Sequence, residues 1–108
     1  MQEPPDYNDS TTKVRIALET TARRAATQRA AAGGAPYPAD TWGNALAYLR
    51  NAGVLEVDEE QMLARVYTFI SPGAHIPAGV TDEEWARLAR TFALSSCYFL
   101  LKKHEATP

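Results

Sequence analysis

Clusters of glycine and proline divide this sequence into four segments that are each long enough to form a helix. The first cluster spans residues 33–38, Gly53 marks a second boundary, and the last cluster spans residues 72–79. Glycine is entropically costly inside a helix and proline removes a backbone donor, so helices are expected to end at these positions. Within each segment, apolar residues recur at the spacing of a helix with one buried side. The breaks and the spacing together predict an all-helical chain.

The predicted helices cover residues 11–32, 41–52, 58–71 and 81–101. The short apolar run over residues 54–57 has the composition of a strand. Because the sequence offers no second strand with which it could pair, we expect this run to be an apolar connector.

Capping residues mark the starts of the later helices. Asp40 or Thr41 is placed to accept hydrogen bonds at the start of the second helix, and Asp58 is predicted to cap the third. Thr81 and Glu84 have the spacing of a capping box, and the first turn that follows is acidic, which suits the helix dipole. The fourth helix is therefore the most clearly marked element in the chain.

Apolar stripes along the helices define the predicted core. The first helix contributes mainly alanine, so it is expected to pack closely against a neighbour. In the second helix the stripe consists of Trp42, Ala45, Leu46 and Leu49. The predicted inner positions of the third and fourth helices are Met62, Val66, Phe69, Ile70, Trp85, Leu88, Phe92, Ser96 and Phe99.

A chain of 108 residues has the usual size of one domain with one core. Residues 1–10 are polar and contain two prolines, so they are predicted to be a flexible leader. Residues 11–104 are predicted to form a single helical domain. Short connections favour antiparallel neighbours, and the expected fold is a small antiparallel bundle of about four helices.

The overall charge excludes several classes of partner. A net charge of -2 gives no general attraction for nucleic acid or for an anionic membrane. The apolar runs are too short to span a bilayer, and the acidic beginning of the chain is unlike a secretion signal. Cys97 is the one cysteine and has no partner for an intrachain disulfide, which fits a reducing compartment. We therefore expect a cytoplasmic protein that does not associate with membranes.

Positive charge is concentrated near the start of the chain. Residues 13–29 contain five cations and one acid, a local charge of 5 - 1 = +4. A basic helix of this kind is a candidate for contact with nucleic acid, although such a pattern is more often a solvated helix face or an intersubunit seam. The candidate nucleic-acid-binding residues are Arg15, Arg23, Arg24 and Arg29.

No residue pattern predicts a metal or cofactor site. Cys97, His75 and His104 lack the close spacing that metal ligands require. The glycines at 33 and 34 do not fit a phosphate-binding frame, and the acidic clusters at helix starts are explained as caps. His75 follows the third helix and is the one candidate acid or base, with hydrogen bonding to the helix carbonyls as the alternative role.

Three motifs carry a resemblance to a known family. They are LRNAGVL at residues 49–55, MLARVYTFISPGAH at residues 62–75 and TDEEW at residues 81–85. Over roughly residues 46–103, the chain resembles the C-terminal half of HEPN-type helical domains. These domains occur in prokaryotic abortive-infection and toxin systems.

The resemblance also implies a chemistry for the family. Its active members are metal-independent ribonucleases with an R-x(4 to 6)-H motif, in which the arginine steadies a phosphate and the histidine moves protons across a dimer-lined cleft. This sequence departs from that motif, because nine residues separate Arg65 from His75. The resemblance therefore implies a non-catalytic member that serves dimerisation or sensing. A ribonuclease that uses His75 with Arg65 is the alternative.

These observations lead to a functional hypothesis. We expect a non-catalytic interaction or dimerisation module of a prokaryotic defence or regulatory system, whose partner is another protein or a second copy. RNA is a less favoured partner. Aromatic residues of the third and fourth helices are the predicted interface, and the alternative is that most of them only fill the core. The candidate interface residues are Trp85, Phe92, Tyr98, Phe99 and Tyr67.

Overall fold

The computed structural model describes residues 7–71 and 76–108, with the backbone alone for residues 7–9. This part of the chain is built from α-helices and contains no strand. The buried residues Val54 and Leu55 form a connector, as expected. The prediction of an all-helical bundle is confirmed. The helices are α1 (Tyr7–Ala31), α2 (Trp42–Asn51), α3 (Val57–Phe69) and α4 (Asp82–Ala106).

The two long helices, α1 and α4, lie side by side and point in the same direction. Near their starts, Arg90 Nη1 lies 3.5 Å from Ser10 Oγ. Near their ends, Arg29 Nε donates a hydrogen bond to His104 Nδ1 at 3.0 Å. The starts of the two helices therefore lie close together, and so do their ends.

Helix α3 runs antiparallel to α4. At the start of α3, Glu59 Oε1 lies 3.1 Å from Lys103 Nζ near the end of α4. At the end of α3, the ring of Phe69 lies 4.6 Å from that of Trp85 in the first turn of α4. The predicted antiparallel arrangement of neighbours therefore holds for this pair.

Helix α3 is also antiparallel to α2. Glu60 pairs with Arg50, and Tyr67 stacks on Trp42 with ring centroids 4.6 Å apart. A short connection, residues 52–56, joins α2 to α3 and favours their antiparallel packing, whereas α1 and α4 are distant in sequence and are free to pack in parallel.

Small side chains fill the contact between α1 and α4, which is the most extensive contact between two helices in the described bundle. Side chains of this size let the two backbones approach closely. The dispersion contacts between the closely packed helices then stabilise the pair in place of the contacts that larger side chains would make. The alanine stripe predicted for α1 is confirmed. The buried residues of the two helices are Thr11, Leu18, Ala22, Ala25, Ala26, Trp85, Ala86, Ala89, Ala93, Ser96 and Leu100.

The inner side of α4 differs in part from the prediction. Leu88 and Phe92 were expected inside, but they are 38% and 39% exposed, while Ala89 and Ala93 are buried. Helix α4 carries an aromatic stripe and an alanine stripe next to each other. The alanine stripe faces α1 because two alanine surfaces permit the closer approach.

The inner side of α3 also differs in part from the prediction. Leu63 is fully buried although it was not predicted, whereas Met62 and Phe69 are each 40% exposed. Ile70 and Val66 pack in or against the core as expected. Because α3 contacts both α2 and α4, its buried residues, such as Leu63, point between those two helices. Met62 and Phe69 lie to one side of them and reach only the edge of α4.

Hydrogen bonds at the helix starts confirm two of the predicted caps. Thr41 Oγ1 accepts from the Asn44 N–H at 3.2 Å. Thr81 Oγ1 accepts from the Glu84 N–H at 3.1 Å, and the Glu84 carboxylate accepts from the Thr81 N–H at 2.9 Å. The hydrogen bond from the Thr81 backbone holds the pKa of Glu84 below its usual value.

The predicted cap of α3 is wrong by two positions. The helix starts at Val57 with Glu56 as its N-cap residue, and not at Asp58. Glu59 Oε1 accepts from the Glu56 N–H at 2.8 Å and also pairs with Lys103 of α4. The earlier start allows one carboxylate to cap α3 and to tie it to α4.

Helix α1 starts at Tyr7, earlier than the predicted start at residue 11. Residues 7–10, which the prediction assigned to a flexible leader, are therefore helical, while residues 1–6 lie outside the described part of the chain. Ser10 approaches Arg90 of α4 and Thr11 is buried, so packing extends along the first turns of α1. Tertiary contact stabilises helix that local composition alone does not predict.

The chain leaves α1 through a tight turn that packs on α2. Gly33 has a φ of 96°, which favours glycine, and the Gly34 N–H donates to the Arg29 carbonyl at 2.9 Å. The Tyr48 hydroxyl of α2 donates to the Ala35 carbonyl. A β-carbon at Gly34 would lie 2.7 Å from both the Arg29 carbonyl oxygen and the Tyr48 hydroxyl oxygen, so the backbone is closely enclosed here.

The α1–α4 contact predicts the effect of enlarging one alanine. We expect Ala93→Leu to lower the free energy of unfolding by about 1–3 kcal/mol, because a fully buried site has no room for the added methylenes. Ala17→Leu adds the same atoms at an exposed position of α1 and is expected to change stability little. Urea unfolding of both variants measures the difference, and equal effects would contradict this account of the packing.

The enclosed turn predicts opposite effects at two glycines. Gly34→Ala is expected to destabilise the fold by about 1–3 kcal/mol, because its β-carbon collides with the Arg29 backbone. At Gly43, within α2, a β-carbon meets nothing within 4 Å. Gly43→Ala is therefore expected to stabilise the fold by about 0.5–1 kcal/mol, because alanine favours the helix. Thermal melting followed by circular dichroism tests both signs.

Candidate interaction surface

Large apolar side chains lie on the outer side of α4. Leu94, Tyr98 and Leu101 are 59%, 64% and 46% exposed. Their spacing of four and then three residues places them on one side of the helix, away from the alanines that face α1. We refer to these three residues as the α4 stripe. It is a contiguous apolar strip that no described part of the chain covers.

A second apolar region lies where α3 meets α4. Met62 and Phe69 of α3 and Leu88 and Phe92 of α4 are each close to 40% exposed. Phe69 contacts Phe92 edge to face, with ring centroids 5.7 Å apart, and also packs on buried Trp85. These rings already cover part of each other's surface, so this α3–α4 groove is less open than the α4 stripe.

The structure separates the five residues that were predicted to form an interface. Trp85 is buried, Phe99 is half-buried against the core, and Tyr67 is half-buried between helices. Phe92 lies in the α3–α4 groove, and Tyr98 lies in the α4 stripe. The five residues therefore do not form one aromatic surface. Leu94 and Leu101 were missed, although their spacing from Tyr98 would have identified them.

Tyr67 has a structural role between α1, α2 and α3. Its ring stacks on Trp42, and the Arg15 guanidinium lies 5.1 Å from the ring centroid. The Tyr67 hydroxyl donates to Glu19 Oε2 at 3.2 Å. Burial, together with the Glu19 carboxylate, raises the pKa of this hydroxyl. Arg15, a candidate for contact with nucleic acid, is thus placed over a tyrosine ring within the fold.

Arg23 is held by the segment that connects α1 to α2. Its Nε and Nη2 atoms donate to the two Asp40 carboxylate oxygens at 3.0 and 2.8 Å, and Nη1 lies 3.4 Å from Glu19. The Tyr37 hydroxyl also donates to Asp40. The Arg23 hydrogen bonds lower the pKa of Asp40, whereas burial and the hydrogen bond to Asp40 raise the pKa of Tyr37 to about 12.

Arg29 fastens the end of α1 to the end of α4. Besides its bond to His104 Nδ1, its guanidinium donates to the carbonyl oxygens of His104 at 3.0 Å, Thr107 at 2.7 Å and Pro108 at 3.3 Å. These carbonyls carry the partial negative charge of a helix end, which a cation stabilises. Arg29 therefore acts as a cap that is supplied by a different helix.

The four candidate nucleic-acid-binding arginines do not form one surface. Arg15, Arg23 and Arg29 each have intramolecular partners on different sides of α1, and Arg24 is exposed. Most of the positive charge predicted to be available on α1 is thus used to hold the helices together.

The described structure contains only one member of the candidate catalytic pair. Arg65 is exposed on α3, and His75 lies outside the described residues. Within residues 7–71 and 76–108, no group of three or more histidine, cysteine, aspartate and glutamate side chains is placed to hold a metal ion. Cys97 is half-buried, and burial raises the pKa of its thiol.

A cleft of about 670 Å³ lies between the α1–α2 turn, α2 and the end of the chain. Arg29 and Gly34 line it, but the Arg29 guanidinium bonds to the end of α4, and the Gly34 amide bonds to the Arg29 carbonyl. Asn44, Tyr48 and Asn51 of α2 supply its other polar side chains, and the Tyr48 hydroxyl already donates a hydrogen bond within the fold. The cleft therefore presents two neutral amides without a charged group directed at a ligand.

No family model matches the chain, and no curated protein or solved structure matches it either. Among the described residues, no helix combines the length and the apolar character needed to cross a membrane. The geometry of the chain's own residues is therefore what supports a function.

The Arg29 cap predicts that the fold loses stability in mild acid. Because Arg29 donates to His104 Nδ1, the ring proton is on Nε2, which faces Gln28 Oε1 at 3.1 Å. Burial and the Arg29 charge lower the pKa of His104. As the pH falls, His104 therefore takes up a second ring proton in the unfolded chain before it does so in the folded chain. The contribution of His104 to the free energy of unfolding is fully present above about pH 6.5 and declines as the pH falls below that value.

Thermal melting between about pH 8 and pH 5 tests this prediction, with His104→Asn as the matched variant. Asparagine keeps an acceptor for Arg29 but does not titrate. We expect the wild-type melting temperature to fall more steeply in acid than that of the variant. Parallel pH profiles for the two proteins would rule out a contribution from His104.

Proposed function

We propose that this chain is a helical self-association module whose contact surface is the α4 stripe. The observation that carries the proposal is the exposure of Leu94, Tyr98 and Leu101 in one line along the helix. Single exposed apolar residues are normal on a protein surface, whereas a contiguous set is typical of an interaction site.

The composition of α4 supports this choice of surface. Five of the exposed large apolar side chains in the described structure lie on this one helix. They include Leu88 and Phe92 of the α3–α4 groove, and the Phe92 ring packs on Phe69. The stripe residues are more exposed than those of the groove, and the Lys102 ammonium lies 5.5 Å from the centroid of the Tyr98 ring. A partner that covers the stripe would therefore bury more exposed apolar surface than one that covers the groove.

The rest of the surface supports an interaction role over a catalytic one. The described residues form no group of three or more side chains that could hold a metal ion, and Arg65, the arginine of the catalytic alternative, is exposed on α3. The resemblance to non-catalytic HEPN-type domains, which serve dimerisation, agrees with the proposal and would place the module in a prokaryotic defence or regulatory system.

The proposal predicts that one charge on the stripe weakens self-association. Leu94→Glu places a carboxylate in the apolar contact, where its desolvation is costly, and we expect the dimer to dissociate at least tenfold more readily. Sedimentation equilibrium over a concentration series measures the change. Circular dichroism is expected to show unaltered helix content, because Leu94 lies outside the core.

Ile16→Glu is the matched control for this test. Ile16 is 51% exposed on α1 and lies outside the stripe, so the same chemical change is expected to leave the dimer intact. A wild-type chain that stays monomeric at every concentration, or an equal loss of association in both variants, would refute the proposed function.

A further inference from the structure

The α4 stripe is the centre of a longer line of residues along the helix. Arg87 and Thr91 precede it and Glu105 follows it, with alternating spacings of four and three residues throughout. Such a spacing keeps side chains on one side of a helix and is the pattern by which two helices pair along their length. We call this line the α4 seam, and it consists of Arg87, Thr91, Leu94, Tyr98, Leu101 and Glu105.

The ends of the seam carry opposite charges. The side chains of Arg87 and Glu105 are each 67% exposed. Their present ion pairs are weak local ones, at 3.5 Å to Glu83 and 4.0 Å to Lys102. Both end charges are therefore available to a partner, and the seam runs from positive through apolar to negative.

A seam of this kind is complementary to itself when a second copy is reversed. With the two-fold axis beside residue 96, Arg87 faces the Glu105 position of the other copy, Leu94 faces Tyr98, and Thr91 faces Leu101. Each contact occurs twice, as two-fold symmetry requires. In a parallel pair, by contrast, arginine would face arginine and glutamate would face glutamate.

Resting on the proposed function, we propose that the partner of the α4 seam is a second copy of this chain, bound with its α4 antiparallel and with Arg87 of each copy paired to Glu105 of the other. The apolar centre supplies attraction, and the charged ends select the orientation and the register.

Charge reversal tests the orientation directly. Arg87→Glu places glutamate against glutamate at both ends, and Glu105→Arg places arginine against arginine. We expect each single variant to self-associate about tenfold more weakly than the wild type. The double variant and an equimolar mixture of the two single variants restore opposite pairs and are expected to associate like the wild type. Arg65→Glu, the same reversal at an exposed site on α3, is the control.

Cysteine cross-linking tests the register independently. In a Cys97→Ser background, a mixture of Thr91→Cys and Leu101→Cys chains is expected to form a mixed disulfide dimer in air, while neither chain alone does so. Cross-linking of Thr91→Cys with itself would indicate a parallel pair and overturn the inference.

The outcomes separate this inference from the proposed function. If Leu94→Glu dissociates the dimer but charge reversal leaves association unchanged, the antiparallel register is wrong and the self-association surface stands. If the wild-type chain is monomeric, both fail. Weakening by each reversal, with recovery in the mixture and no effect of Arg65→Glu, establishes the antiparallel register.

Discussion

The close packing of α1 against α4 is the contact on which the rest of the structure depends. Alanines on both helices allow the backbones to approach, and this contact decides which side of α4 is buried. Because the alanine side of α4 is used in the core, the larger residues Leu94, Tyr98 and Leu101 are left outside it. The packing that forms the fold therefore also creates the surface through which we propose that the chain self-associates.

Much of the fold could be predicted because its signals are local. Thr81 and Glu84 lie three residues apart and bond to each other's backbone, so spacing alone identified the start of α4. The buried side of α4 was harder to predict, since Phe92 and Ala93 belong to adjacent stripes with the same period. Judged by apolar area alone, the aromatic stripe is the better candidate for burial. The alanine stripe is buried instead because the small side chains of α1 pack against it, and the sequence does not reveal that α1 is the neighbour of α4.

The candidate site could be predicted only in part. Tyr98 was identified from its aromatic character, whereas the leucines beside it were overlooked because leucine on a helix is usually taken as core. The arginines of α1 were predicted as a group from their charge, yet Arg23 and Arg29 bind acceptors that are 17 and at least 75 residues away in sequence. Such partners are fixed by tertiary structure, so local charge gives no indication of them.

The pairing of the first helix with the last has a consequence for synthesis of the chain. Arg29 and His104 are 75 residues apart, so the contact between them forms only after α4 has been made. Contacts between residues that are distant in sequence slow folding, and α1 has no α4 to pack against while the chain is still being synthesised. Until it packs on α4, an α1 helix lined with alanine exposes less apolar area to neighbouring molecules than one lined with leucine would. The smaller apolar area lowers the risk of aggregation before α4 is complete.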